Sequence, residues 1–481
     1  MPKKVTIADY FAEHLSSKNG MLEVDTGVKK SYAQIYENAL GIAAGLELEQ
    51  GERLTVILAN SCAWVEYFLA SMIGGWIFSP IPYFVQVQEL NKILDYVKPK
   101  AIITDREDIN KKLGVKYNVL KVYEKQTSYK NYKKPNINEN SAAALYYSSG
   151  TTGNPKGVIY SHKNMTSLIA SIIRGFKFSS EDKQFAFLPF GHTASINYNI
   201  LPSLMMGCDL IVSQGFEQLR QNFFKVLAKH KITYTQIVPT VLLMLNKLRM
   251  NNQGIDLSQL QFIGCGSSTL PLTSQIEFIE TYGIKVANLY GLSETGPSHI
   301  DDPRESDWDP GSIGYPLDVN ECRIAEDGEI LLKGQNIFIG YYQNKSLYKE
   351  VVNEGWFHTG DLGEKKKGRF YFTDRKKDLI IKGGINIVPM EVEEAIYFHP
   401  FVAECVVVGK FSKIHGEEIV AVVVKTEGAP EETQLNREIK DYCKQKLSSY
   451  KVPNKVFFWE SLPKTASKKL IRRKVREKIN I

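Results

Sequence analysis

The sequence predicts an α/β protein with a large amino-terminal domain of helix-layered sheets, itself made of several subdomains, and a small α+β domain after it. Three observations carry that expectation. The 481 residues exceed what one hydrophobic core organises, so the chain divides. Apolar runs of strand length alternate with segments of helical period through most of the chain, the pattern of a largely parallel sheet covered by helices. The charge cluster Thr373-Asp374-Arg375-Lys376-Lys377-Asp378 has no apolar stripe and reads as a solvated linker before a last, compact quarter. The expected domains are residues 1–376 and 377–481.

In order, a helix is expected over 31–47, a strand over 54–58, a buried helix over 64–74 and a strand over 76–80. An amphipathic segment over 89–97 leads to a strand at 101–104, and a lysine-rich connector without periodicity fills 124–140. Strands at 142–147 and 158–160 flank a polar loop, and a helix follows over 164–176. Beyond it, 209–212 and 262–268 read as strands and 216–230 as one helix. In the last quarter, strands are expected at 404–408, 419–424 and 455–459, with a helix over 435–447.

Composition excludes several classes. At 43% hydrophobic and 23% charged, the chain is neither disordered nor collagen-like. A net charge of +7 over this length suits an enzyme handling anionic small molecules and does not indicate nucleic acid. The six cysteines are scattered, with no Cys-x-x-Cys pair and no histidine at metal spacing, and read as free thiols of a cytoplasmic protein. The amino terminus runs into an amphipathic pattern (Ile7, Tyr10, Phe11, Leu15) rather than an apolar signal core. The uncharged run 67–88 is broken by Gly74-Gly75 and Pro80-Ile81-Pro82, so no integral membrane segment is expected.

The most informative stretch is Ser148-Ser149-Gly150-Thr151-Thr152-Gly153-Asn154-Pro155-Lys156-Gly157. Its glycines let the backbone approach an anion closely. Its hydroxyls donate to phosphate oxygens and Lys156 adds a point charge. Pro155 before the lysine and Gly157 after it set this phosphate loop apart from the commoner Gly-Lys-Ser/Thr form. A second word, Asn288-Leu289-Tyr290-Gly291-Leu292-Ser293-Glu294-Thr295-Gly296, offers a ring for stacking a base at Tyr290. It also offers, at Glu294, a carboxylate able to hold Mg²⁺ against phosphates. Asp361, in Thr359-Gly360-Asp361, can accept from two hydroxyls. Taken alone, His192 reads more readily as a packed or capping residue. The basic tail 462–474 by itself leaves a nucleic-acid or membrane patch open as a lesser reading.

Together, in this order, the words resemble those of the adenylate-forming superfamily, which holds acyl-CoA synthetases, peptide-synthetase adenylation domains and luciferases. The resemblance covers roughly residues 146–474 and implies ATP, Mg²⁺ and CoA, or a carrier-bound phosphopantetheine, as reactants and cofactors. It implies nucleotide contacts at Ser148, Ser149, Gly150, Thr151, Thr152, Gly153, Lys156, Gly266, Ser267, Tyr290, Gly291, Ser293, Asp361 and Arg375, with Gly384 beside the pantetheine thiol. The implied catalytic residues are Lys469, Glu294, His192 and Thr152, and Lys377 is the implied hinge. Lys468 stands where the family usually has glycine. By position alone, His192, Asn197, Tyr198, Ile237, Gly264, Ser267 and Tyr290 are the acyl-pocket candidates. They carry no cation, and the word around His192 lacks the aspartate that amino-acid adenylation domains use. The expected activity is therefore acid–thiol ligation of a fatty or aromatic acid. An acyl carrier protein as acceptor and a catalytically silent nucleotide-binding protein stay open as alternatives.

Overall fold

The computed structural model describes residues 4–149, 155–250, 252–412, 416–464 and 470–479, leaving aside the side chains of Ser148, Ser149 and Pro155. It divides into two compact units. One comprises Met1–Leu270, Phe278–Cys322 and Leu332–Phe357, and the other Pro271–Glu277, Arg323–Leu331 and His358–Ile481. The strands Trp356–Lys366 and Arg369–Arg375 form an antiparallel hairpin, so residues 358–376 pack with the carboxyl-terminal part. Compactness says where residues pack, not where a domain pivots.

Among the described residues, the first unit contains two seven-stranded sheets. One has the order Val286–Leu289, Phe262–Gly266, Tyr234–Ile237, Lys183–Ala186, Asp209–Val212, Gly20–Glu23, Lys29–Ser31, parallel except for the last hairpin. The other has the order Gly340–Tyr341, Pro155–Ser161, Ala142–Ser149, Ile77–Pro80, Arg53–Ile57, Ala101–Thr104, Val119–Leu120. It is parallel in its second half and antiparallel where the phosphate-loop hairpin and Gly340–Tyr341 join it. The alternation of the sequence therefore builds largely parallel sheets, and sheets of this kind bind ligands at the carboxyl ends of their strands.

Local signals set the helix ends. Tyr32–Gly45 and His162–Gly175 each begin with a capping box, Ser31 with Gln34 and Ser161 with Asn164. Cys62–Gly74 is apolar almost all round and buried, as the uncharged run implied. Its single acid, Glu66, is sealed from solvent and accepts from Lys30 Nζ at 2.7 Å and Asn38 Nδ2 at 2.8 Å. Among the described residues no helix is long and apolar enough to cross a membrane. The single helix expected over 216–230 is instead two, Phe216–Leu219 and Phe223–Lys229. The polar residues 220–222 break it, and the Asn222 N–H closes a turn on the Leu219 carbonyl at 2.7 Å.

In the second unit, a five-stranded sheet has Ile385–Ile387, Ile380–Lys382, Gly416–Lys425 and Val402–Ser412 in line, with Lys455–Phe458 also on Gly416–Lys425. Period-two alternation sorts its valines. Val407 and Val423 face Val392, Ile396, Leu435 and Ile439 of two helices, while Val406, Val408, Val420 and Val422 face Val475 and Ile479 of the terminal helix. This is the small α+β domain that the last quarter of the sequence predicts.

Candidate active site

Tyr341 ties the site of the first unit together. Its strand pairs with Val158 of the phosphate-loop hairpin, which places its ring 5.8 Å from Lys156 Nζ. Its hydroxyl donates to Glu294 Oε1 at 2.8 Å. The Phe338 N–H donates to the Glu294 carbonyl at 2.9 Å, and Asn164 Nδ2 donates to the carbonyls of Gln335 and Ile337 at 2.6 and 3.0 Å. The segment carrying Tyr341 is thus pinned at both ends. Phosphate hairpin and acidic word, far apart in sequence, meet on one tyrosine. Burial and the neighbouring Glu294 carboxylate push the Tyr341 phenol up, so it stays a neutral donor.

A half-buried glutamate with one oxygen held by a hydroxyl, beside a lysine, is a hard-oxygen donor of the kind Mg²⁺ shares with nucleotide phosphates. The residues present fit that ion. Thr295 Oγ1 accepts from the Leu292 N–H at 3.2 Å and donates to the Gly296 carbonyl at 2.7 Å, fixing the turn that bears Ser293 and Glu294. Gly291 is required by close approach, because a Cβ there would come within 2.3 Å of the Gly296 carbonyl oxygen. Tyr290 lies edge-on to His299 at 5.4 Å, which leaves its ring oriented by a buried neighbour.

At the end of strand Phe262–Gly266, Ser267 takes φ +74°, a left-handed conformation that a non-glycine residue adopts at a cost. Leu289 fills the space beside Gly264 and Gly266, at 2.6 Å from where either Cβ would stand. His192 caps the short helix Thr193–Ser195, accepting at Nδ1 from the Ala194 N–H at 3.3 Å. The loop before it is held by Asn60, whose amide donates to the carbonyls of Leu188 and Ser213, each at 2.9 Å, and accepts from the Phe190 N–H at 2.9 Å. Asn197 comes within 3.2 Å of a Cβ position at Gly296, so the His192 word and the Glu294 word adjoin. Ile237 points instead into a core cluster with Phe185, Phe187 and Ile263. Its neighbour Gln236 takes the opposite face of the sheet.

In the second unit, Asp361 and Arg375 stand opposite each other on the hairpin, with Arg375 Nε 3.5 Å from Asp361 Oδ1. Asp361 is buried, and its backbone is fixed by Thr359, whose Oγ1 accepts from the Asp361 N–H at 3.1 Å and donates to the Ile330 carbonyl at 2.7 Å. A carboxylate and a guanidinium side by side can accept from and donate to one sugar. Lys376 bonds Asp327 at 2.5 Å and Glu329 at 3.4 Å, while Arg476 donates to the Asp378 carbonyl at 3.2 Å. Lys377 therefore lies between two anchored neighbours.

Arg472 donates to Glu393 Oε2 and to the Val407 carbonyl, both at 2.7 Å, tying the terminal helix to the helix Pro389–Tyr397. Gly383 and Gly384 both have positive φ, +60° and +79°, as the tight hairpin between Ile380–Lys382 and Ile385–Ile387 demands. Space beside Gly384 is open.

Gly150, Thr151, Thr152, Gly153 and Lys469 lie outside the described residues. Sequence reasoning did not single out Tyr341, Asn60 or Gln236. A glutamine beside Ile237, in a strand whose other residues are all strong β-formers, was the one visible sign among them.

Two family models match the chain: AMP-binding enzyme over residues 11–342, and AMP-binding enzyme C-terminal domain over 391–469. A long-chain-fatty-acid–CoA ligase of Bacillus subtilis is 32% identical, covering 94% of this chain and 90% of that protein. A 2-succinylbenzoate–CoA ligase of Bacillus cereus is 29% identical, covering 93% of each. Among solved structures, o-succinylbenzoate CoA synthetase from Bacillus subtilis in complex with its acyl-adenylate intermediate superposes with a TM-score of 0.87 at 27% identity, covering 99% of both chains. The chain belongs to the AMP-binding enzyme family, within the adenylate-forming superfamily, and to its AMP-forming acid–thiol ligases.

Proposed function

We propose that this ligase joins a fatty or aromatic carboxylic acid to the thiol of CoA. The observation that carries the reading is the convergence of the phosphate-loop hairpin and Glu294 on Tyr341, since a ligase of this kind needs pyrophosphate oxygens and a metal-binding carboxylate at one place.

A carboxylate is a poor electrophile, so the reaction has two halves. First the carboxylate oxygen attacks the α-phosphorus of ATP and pyrophosphate leaves. Lys156 and the hydroxyls of 148–152 hold the departing phosphates, Glu294 would hold Mg²⁺, and Asp361 with Arg375 orients the ribose. Bound Mg²⁺ would offset charge on the phosphate oxygens. Lys469 bonds the reacting carboxylate and the α-phosphate. The work is mainly positioning and electrostatic stabilisation. Then the thiol sulfur attacks the acyl carbon, AMP leaves and the thiol proton passes to solvent. Rotation of the small domain about Lys377 withdraws Lys469 and brings Gly384 to the thiol. The anchors on Lys376 and Asp378 support a pivot confined to the residue between them.

The named acids of the two similar ligases are an alkyl and an aryl acid, which supports the substrate class. Supply of ATP and CoA, with six cysteines free, supports a cytoplasmic site. The test is pyrophosphate release across a panel of carboxylic acids, with CoA and a phosphopantetheinylated carrier protein compared as acceptors. Thioester formed faster on the carrier than on CoA would move the assignment to carrier loading.

A further inference from the structure

The structure assigns the far wall of the acyl pocket to Gln236, Tyr198 and Tyr234, and with it an acid bearing an uncharged polar group remote from its carboxylate. This rests on the ligase reading above and narrows its substrate.

Parallel register puts Tyr234 and Gln236 on the same sheet face as Gly264 and Gly266, with Gln236 level with Gly264. Ser267 and Tyr290 leave their strands at the carboxyl edge of that face. The row Gly266, Gly264 with Gln236, then Tyr234 therefore runs inward from the candidate site. Tyr234 Oη lies 2.5 Å from a Cβ position at Gly264. Across from this face stands the π-turn Ile196–Ile200, which carries both Asn197, beside Gly296, and Tyr198. A π-turn is an uncommon device, frequent at functional sites.

What distinguishes this wall is its chemistry. Gln236 is 1% exposed, and neither its amide nitrogen nor its amide oxygen has a hydrogen-bond partner. The hydroxyls of Tyr198 and Tyr234 are likewise buried without one. Protein interiors pair nine in ten or more of such groups. Three side chains left wanting on facing surfaces, at the inner end of the row that starts at the candidate site, ask for a ligand with polar atoms of its own.

The group they ask for is uncharged. Burial pushes both phenols up, so they remain neutral. On this face Arg304 lies over the Phe262 ring at 5.0 Å, and it is paired with Asp302 at 2.7 Å. A second carboxylate would be buried uncompensated. A plain alkyl tail would leave the amide and hydroxyls unmatched. A keto, amide, ether or hydroxyl group satisfies them.

The test is kcat/KM for pyrophosphate release with straight-chain acids, their ω-oxo analogues and the matching dicarboxylates over a range of lengths, and with para-substituted benzoates likewise. The wild type should favour the uncharged polar analogue about tenfold or more over its plain counterpart and over the diacid. Gln236→Met should bring that ratio near one by lowering kcat/KM for the uncharged polar analogue about tenfold more than for the plain acid. Tyr198→Phe and Tyr234→Phe, which keep shape, carry the same test if the methionine variant fails to fold. Preference of the wild type for plain acids or diacids overturns the inference, as does an equal loss on every acid with the ratio intact. No pyrophosphate from any acid overturns the ligase reading itself and this inference with it.

Discussion

The Tyr341 hydroxyl donates to Glu294 Oε1 at 2.8 Å while the same ring lies 5.8 Å from Lys156 Nζ. One side chain thus orients the carboxylate proposed to hold Mg²⁺ and lies beneath the cation proposed to hold phosphate. Tyr341→Phe should raise the Mg²⁺ concentration needed for half-maximal pyrophosphate exchange roughly tenfold, since a hydrogen bond to a charged group contributes about 1.5 kcal/mol or more. An unchanged Mg²⁺ titration would remove Tyr341 from the site.

Lys469→Ala should abolish acid-dependent pyrophosphate exchange and spare thioester formation from a supplied acyl adenylate. Lys377→Pro should do the reverse, sparing adenylation and impairing transfer, because proline fixes φ where the pivot must turn. Equal loss of both half-reactions in the lysine variant, or normal turnover in the proline variant, would refute the respective role.

Asn60→Leu removes three hydrogen bonds at once and leaves two carbonyls and one N–H buried without them. The expected destabilisation is about 2–4 kcal/mol in urea unfolding. The released loop carries His192, so the surviving enzyme should lose more in KM for the acid than in KM for ATP. Parallel changes in both would mean a purely architectural role.

Two buried histidines give stability a pH slope. Desolvation lowers His162 to about 4 and His299 to about 3, from the ordinary 6.5. Below pH 6.5 the unfolded chain binds protons that the folded chain refuses. Stability is therefore full above that value and falls by about 1.4 kcal/mol per pH unit per histidine as pH drops toward the folded values. Urea midpoints taken from neutral pH down to 5 should fall, and His162→Leu should flatten the slope. An unchanged slope would show that His162 is protonated at no cost.

The sequence disclosed elements better than junctions. Alternating strands and helices were legible because period and turn residues are local, and the capping boxes at Ser31 and Ser161 mark helix starts by chemistry alone. Segment 216–230 misled because its apolar spacing continues across the polar break at 220–222. Ile237 was read toward the pocket because no local signal says which face of a strand meets which layer. The register against Phe262–Gly266 and the core beneath it decide that. Tyr341 and Asn60 act through partners tens to hundreds of residues away, which a one-dimensional pattern cannot pair.

Arg472 and Arg476 come three and seven residues after Lys469 in the sequence, and they grip Glu393 and the Asp378 carbonyl. For the pivot proposed at Lys377, such a helix would be a clutch. On the proposed pivot, the lysine's withdrawal and the turning of the small domain become one stroke. Leakage of acyl adenylate to water is then set by how firmly the two arginines transmit that stroke, and the reactive intermediate is protected by timing.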